Sequence, residues 1–145
     1  MYEPIRTKSV HSTMAGTSDF PHRTREEELD IQLASHLAAL LAVTDELRAQ
    51  APSTDLDDLD AAAERLARQV ARLRGGRPPA RVTSTGPTRT AALHRRAHAL
   101  AGRALVVAAS RADTAAAILA AERMDAHAAA LATATSATGT LAATA

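Results

Sequence analysis

The sequence is nearly free of aromatic residues. Among its 145 residues there are one tyrosine, one phenylalanine and no tryptophan, although 46% of the residues are hydrophobic. The core must therefore consist of alanine, leucine, valine and isoleucine, and such small side chains allow helix axes to lie close together. Segments rich in β-branched and aromatic residues, which are typical of strands, are also lacking. These absences predict an all-α fold.

Cysteine is absent altogether, which excludes disulfide bonds, a thiol nucleophile and a thiolate metal site. Long apolar runs are lacking as well, because Asp45, Arg103 and Glu122 interrupt the alanine-rich stretches before they reach the ~18 residues of a membrane span. Residues 1–16 contain no apolar signal-peptide core. We therefore expect a cytoplasmic protein with no membrane association.

The sequence motifs of the common enzyme classes are missing too. There is no phosphate-binding loop, no Gly-x-Ser-x-Gly nucleophile turn and no dinucleotide-binding fingerprint. Ser35 and Ser110 lie in predicted helices without a base at a useful spacing. The sequence therefore predicts a non-enzymatic protein that requires no cofactor.

Leucines at steps of three and four residues predict the helices. Leu33, Leu37 and Leu40 lie on an apolar arc of the first helix that is too broad for one partner, so we interpret this helix as the central one. Thr24 and Glu27 match the capping box that begins such a helix. We predict a four-helix up-and-down bundle with helices at about 24–50, 54–74, 88–110 and 112–132.

No glycine or proline separates the third predicted helix from the fourth, so the alternative is three helices with a long continuous third helix. A break is favoured because Ser110 and Asp113 fit a capping box, and because an uninterrupted core stripe would bury Arg111 and Asp125. The fourth helix is then predicted to contact the bundle through Ile118, Ala121, Met124, Ala128 and Leu131.

Three segments lie outside the predicted helices. Residues 1–23 carry scattered proline, glycine, serine and threonine without a period, which predicts a flexible N-terminal arm. Residues 75–87 form a Pro/Gly-rich loop that is longer than neighbouring helices require. Residues 133–145 are predicted to be a frayed C-terminal tail.

Charge is distributed unevenly along the chain. Residues 65–112 contain 11 arginines and no acidic residue, whereas residues 1–64 contain 13 acidic and 5 basic residues. Arginines near the C-terminal end of the second helix complement its dipole. The arginines left over form a candidate site for an acidic protein, nucleic acid or another polyanion, namely Arg77, Arg81, Arg89, Arg95 and Arg96.

An intramolecular explanation for two of these arginines is favoured over an external partner. In an up-and-down bundle the N-termini of the first and third helices share one end, so the glutamates at 26–28 should pair with Arg95 and Arg96. No aromatic residues interleave with the arginines and no helix-turn-helix pattern occurs, which disfavours nucleic-acid binding.

The histidines are candidate metal ligands. His94 and His98 lie four residues apart on one helical face, a spacing that lets two imidazoles bind one metal, and His36 on the first helix is a third candidate. Arg95 and Arg96 would repel a cation, and no Glu-x-x-His motif of di-iron bundles occurs. We favour the interpretation that these histidines lie at the edge of the core.

Together these patterns predict a non-enzymatic interaction or regulatory bundle that binds another protein or, more specifically, a second copy of itself. Two alternatives remain open. The first is a bundle that binds a metal or a small ligand through His94 and His98. The second is a nucleic-acid or polyanion binder that uses the basic segment at 77–96.

Overall fold

A computed structural model of the chain describes residues 22–83 and 89–144, with side chains described as far as residue 140. Its helices are α1 (Arg25–Gln50), α2 (Ser53–Leu73), α3 (Thr90–Arg111) and α4 (Thr114–Thr144). The all-α class and the four-helix bundle are confirmed, and no strand occurs in the described ranges. Because α3 and α4 are separate, the alternative of one long third helix is excluded. Most of the predicted arm, and residues 84–87 of the predicted loop, lie outside the described residues.

The predicted capping box begins α1. The Glu27 amide donates to Thr24 Oγ1 at 3.1 Å, and the Thr24 amide donates to Glu27 Oε2 at 2.8 Å. Two amides that the helix itself cannot satisfy thereby gain partners. At the other end of α1, Ala51 and Pro52 adopt extended backbone conformations, and α2 begins directly after them. The start of α1 and the turn into α2 therefore follow from local sequence.

The break between α3 and α4 is formed by Ala112 and Asp113. Ala112 adopts a left-handed conformation with φ of 57°, which ends α3. Asp113 then begins α4, because its Oδ1 accepts a hydrogen bond from the Ala116 amide at 3.2 Å. Ser110, the other predicted cap, instead donates its hydroxyl to the Val106 carbonyl at 3.0 Å. The predicted break is present, and Asp113 rather than Ser110 caps the following helix.

Contacts at the two ends of α1 show that α3 runs antiparallel to it. Thr90, the first residue of α3, lies 3.4 Å from Gln50 at the end of α1. Arg111, the last residue of α3, donates to Asp30 near the start of α1 at 3.0 Å. The prediction that the N-termini of the first and third helices share one end is therefore wrong. The glutamates at 26–28 and the arginines at 95 and 96 lie at opposite ends of the bundle.

The order of the helices around the bundle is α1, α2, α4, α3. α1 packs against α2 and α3, while α4 packs closely against α3 and only lightly against α2. Arg72 near the end of α2 donates to Asp113 at 2.6 Å, and Arg65 donates to Glu122 at 2.6 Å, so α2 and α4 are antiparallel. Consequently α2 and α3 run in the same direction at opposite corners.

The segment after α2 must return the chain to the opposite end of the bundle before α3 can begin. Its residue Arg81 donates twice to Asp45 of α1, at 2.9 and 2.7 Å, and the Val82 amide donates to the same carboxylate at 3.1 Å. Burial alone would raise the pKa of Asp45, but the hydrogen bonds from Arg81, Val82 and Arg48 lower it. Asp45 is therefore an ionised anchor that ties this crossover segment to α1.

The core combines large side chains from α1 with alanines from α3 and α4. Four leucines of α1 are fully buried, at positions 33, 37, 40 and 41, and burial of each contributes roughly 1.5–3 kcal/mol. The alanines of α3 at positions 97, 101, 104 and 108 are fully buried as well, as are Ala116 and Ala120 of α4. These methyl groups allow α3 and α4 to pack closely, as the composition predicts.

The predicted contact face of the fourth helix is wrong at Ile118 and Ala128, which are exposed, whereas Met124 packs against the core as predicted. Ile118 is 53% exposed, whereas Ala116, Leu119, Ala120, Arg123 and His127 are buried. The prediction followed the large apolar residues and avoided the stripe that contains an arginine and a histidine. The helix also continues to Thr144, beyond its predicted end at 132 and through most of the predicted tail. None of the helices within the described ranges is long and apolar enough to cross a lipid bilayer.

Candidate ligand pocket between α2 and α4

A pocket of about 580 Å³ opens between α2 and α4, which pack against one another more lightly than the other pairs of adjacent helices do. Its wall on α4 is a stripe of residues spaced by three and four. This stripe begins in the core at Ala116 and Ala120, continues through Arg123 and His127, and ends at Ala130, Ala134 and Ala137. The small side chains at the end of the stripe leave the space that larger residues would fill. The start of α2 and the start of α3 form the other walls.

Arg123 carries a positive charge into this pocket. The residue is 6% exposed, and its Nη1 lies 3.5 Å from Oδ2 of Asp58 on α2. That contact is long, and the Asp58 side chain is 73% exposed, so the ion pair compensates little of the cost of burial. Nε of Arg123 is buried and has no hydrogen-bond partner among the described residues. The guanidinium is therefore a buried donor with an unmade hydrogen bond.

His127 and His94 form a second polar element of the pocket. Their Nδ1 atoms lie 2.9 Å apart, and the ring centroids are 5.2 Å apart. One Nδ1 must donate to the other, so exactly one of these two nitrogens carries a hydrogen when both rings are neutral. His127 is 1% exposed, and its Nε2 is a buried atom to which no described residue hydrogen-bonds. Arg123 and His127, which both line the pocket, thus each have one buried nitrogen without a hydrogen-bond partner among the described residues.

Both imidazoles are neutral near pH 7. Burial, followed by the charge of Arg123 and by electrostatic interactions with His94 and His98, lowers the pKa of His127 from 6.5 to about 3. Burial and the charge of Arg123 also lower the pKa of His94, while Asp55 opposes this shift. The positive charge in the pocket therefore belongs to Arg123 and not to the histidines.

The structure does not gather the three predicted metal ligands into one site. His94 lines the pocket, whereas His98 lies half-buried one turn further along α3 and His36 lies half-buried on α1. No group of three or more histidine, cysteine, aspartate or glutamate residues within 22–83 and 89–144 could hold a metal ion. The partner of His94 is instead His127, on a different helix. The metal site predicted from His94, His98 and His36 therefore has no geometric support.

The predicted anion-binding arginines are dispersed. Arg81 is engaged by Asp45, and Arg77 donates from Nε to the Arg74 carbonyl at 3.1 Å. Arg89 precedes α3, and the remaining two, Arg95 and Arg96, lie exposed on that helix. None of these five arginines lines the pocket between α2 and α4.

The candidate site residue that was not predicted from the sequence is Arg123. Its signal was present, because Ala116, Ala120, Arg123 and His127 follow one another at steps of four, three and four. An arginine and a histidine on the stripe that also contains buried alanines would have indicated a polar site inside the bundle. The contact between His94 and His127, in contrast, depends on how two helices pack and has no signal in local spacing.

The comparisons with known proteins give no relative from which a role could be transferred. No protein family, curated protein or solved structure matches the chain.

Proposed function

We propose that this protein is a non-enzymatic helical bundle that binds a small organic ligand in the pocket between α2 and α4. The observation that supports this proposal is Arg123, a buried residue that lines the pocket and whose Nε has no hydrogen-bond acceptor among the described residues. An uncompensated buried charge costs several kcal/mol. Such a cost is expected where a ligand supplies the missing partner, and it is hard to explain as part of a structural core.

The form of the pocket supports the same proposal. Its volume of about 580 Å³ lies within the range of roughly 300–1,000 Å³ that is typical of sites for small organic molecules. Most of its lining is aliphatic, and a few polar groups converge at its inner end, as binding sites require. The two imidazoles hydrogen-bond to one another, which favours a binding role over acid-base catalysis.

Filling the pocket tests the proposal. Ala130 lines the pocket and is half-buried, so Ala130→Phe should occupy the space where a ligand binds. The adjacent Ala129 is exposed, and Ala129→Phe is the matched control. Binding of 1-octanol and octanoate should be measured by chemical-shift perturbation, with the shifts expected in α2, α3 and α4 around the pocket. Binding that Ala130→Phe leaves unchanged would contradict the proposal.

Self-association is a second candidate function, supported by the last part of α4. Every residue from 132 to 140 is exposed, and none of them is charged. Most of the stability of a helix in a protein comes from tertiary packing, to which these exposed residues contribute little, and Gly139 weakens this part of α4 by roughly a further 1 kcal/mol. A second copy of the chain could bury this helix and stabilise it. This proposal retains the predicted interaction or regulatory role and adds a defined surface.

Light scattering distinguishes a dimer from a monomer. We expect a dimer mass at tens of micromolar, because burial against a second copy would stabilise the exposed part of α4. Ala132→Glu should convert the dimer to a monomer by placing a charge at the contact, whereas Arg103→Glu, on an exposed position of α3, should not. A monomer mass for the unaltered protein would exclude self-association and would leave the pocket proposal unaffected.

A further inference from the structure

The electrostatic balance inside the pocket identifies the charge of its ligand. Arg123 is the charged group at the buried end, and the two imidazoles beside it are neutral at pH 7. The carboxylates that face it, Asp55 and Asp58, lie on exposed positions of α2 at the mouth. Asp58 reaches the guanidinium at 3.5 Å through one oxygen. Among the described residues, the positive charge at the inner end of the pocket is therefore paired only through one long contact with an exposed carboxylate.

The hydrogen-bonding capacity of the same groups identifies the kind of atom that binds there. An arginine Nε–H can only donate, so the atom that satisfies Arg123 must be an acceptor. If His94 donates from Nδ1 to His127, then His127 carries its hydrogen on Nε2 and becomes a second donor. Two donors on neighbouring groups match the two oxygens of a carboxylate, and a guanidinium suits such a group better than other cations do.

The rest of the lining indicates an apolar body. Leu47, Leu59 and Leu131 contribute aliphatic surface, together with the alanine stripe of α4. Asp55 and Asp58 at the mouth disfavour a second negative charge, because a dianion such as a phosphate monoester would be repelled by both. One negative charge at the inner end and an aliphatic wall along the remainder describe a monocarboxylic acid.

We infer that the pocket binds a monocarboxylic acid with an apolar tail, whose carboxylate accepts hydrogen bonds from Arg123 Nε and His127 Nε2. This inference rests on the proposed ligand-binding function and adds the chemical class of the ligand. The carboxylate takes the place of Asp58 as the close partner of Arg123, and the tail lies along Ala130 and Ala134 toward the mouth.

Calorimetric titration with matched probes tests the inference. Octanoate, 1-octanol and octyl phosphate share one tail and differ in the head group. Octanoate should bind at least about tenfold more tightly than 1-octanol, because charge-assisted hydrogen bonds are stronger than neutral ones. Octyl phosphate should bind more weakly than octanoate. In Arg123→Met the ratio of octanoate to 1-octanol affinity should fall to about one, while Arg65→Met, at an exposed position of α2, should keep it.

The outcomes separate this inference from the proposal on which it depends. Equal binding of octanoate and 1-octanol at the pocket would overturn the inference and keep the ligand-binding function. Tighter binding of octyl phosphate than of octanoate would also overturn the inference and keep the ligand-binding function. So would a preference for octanoate over 1-octanol that remains in Arg123→Met. Failure of all three probes to bind would overturn both.

A nuclear magnetic resonance measurement on the unaltered protein tests the inference without depending on whether a variant folds. The ¹⁵N shifts of the imidazoles report which nitrogen carries the hydrogen. With octanoate bound, Nε2 of His127 should be protonated and its Nδ1 should accept from His94. An unprotonated Nε2 in the octanoate complex would overturn the inference.

Discussion

Replacing Arg123 by methionine should stabilise the bundle, because the substitution removes a buried charge that its long contact with Asp58 compensates only poorly. The arginine is 6% exposed, its contact with Asp58 is 3.5 Å long, and its Nε has no partner in the described part of the chain. Methionine keeps an unbranched apolar stem of similar reach. Replacement of poorly compensated buried ions by apolar residues of similar volume stabilises proteins by roughly 1–4 kcal/mol. We expect a gain of about 1–3 kcal/mol, since the side chain lines an open pocket.

Urea denaturation at pH 7 measures this gain as an increase in the free energy of unfolding. The matched control is Arg65→Met on α2, whose arginine is 43% exposed and bonded to Glu122 at 2.6 Å. Exposed ion pairs contribute little, so the control should change stability by less than about 1 kcal/mol. A loss of more than about 1 kcal/mol in Arg123→Met would refute the reasoning. It would show that the guanidinium is structurally paired, and the argument for a ligand would lose its basis.

Three further predictions concern pH, the crossover segment and a turn. Lowering the pH from about 6.5 to about 4.5 should lower the free energy of unfolding by about 2.5 kcal/mol through His127. The reason is that the unfolded imidazole takes up a proton below about pH 6.5, whereas the folded one does so only near its pKa of about 3. His127→Gln should remove this loss and His98→Gln should retain it in urea denaturation at both pH values. Asp45→Asn should lower stability by about 2–4 kcal/mol and expose residues 74–83 to limited proteolysis; an uncleaved, equally stable variant would contradict the anchor. Ala112→Gly should raise stability by about 0.5–1 kcal/mol because φ is 57° there, whereas Ala99→Gly within α3 should lower it by roughly 1 kcal/mol, both measured by thermal unfolding.

The helices were predictable because their signals are local. Thr24 and Glu27 lie within one turn, and their reciprocal hydrogen bonds form as the capping pattern predicts. The break near Ser110 was predictable for a related reason, since continuing the helical stripe would have buried charged residues. The start of α1 and the break between α3 and α4 are therefore explained by residues close in sequence.

The direction of α3 and the contact face of α4 were not predictable in the same way. A long connection permits either direction for the helix that follows it, and spacing within α3 carries no information about which end of α1 it approaches. Hydrophobicity misidentified much of the contact face of α4 because its buried face contains Arg123 and His127. These two residues contradict the hydrophobic pattern at the point where the candidate site lies, and such local conflicts are typical of functional positions.

The crossover after α2 also determines how the chain can fold. α1 and α2, joined by Ala51 and Pro52, form one hairpin of neighbouring helices, and α3 and α4, joined through Ala112 and Asp113, form another. Contacts within each hairpin are close in sequence, so they form quickly. The packing of α1 against α3 requires closure of a much larger loop, and this docking should therefore limit the folding rate. Cutting the chain within residues 75–80 would turn that docking into a bimolecular reaction, whose rate would increase with the concentration of the two fragments.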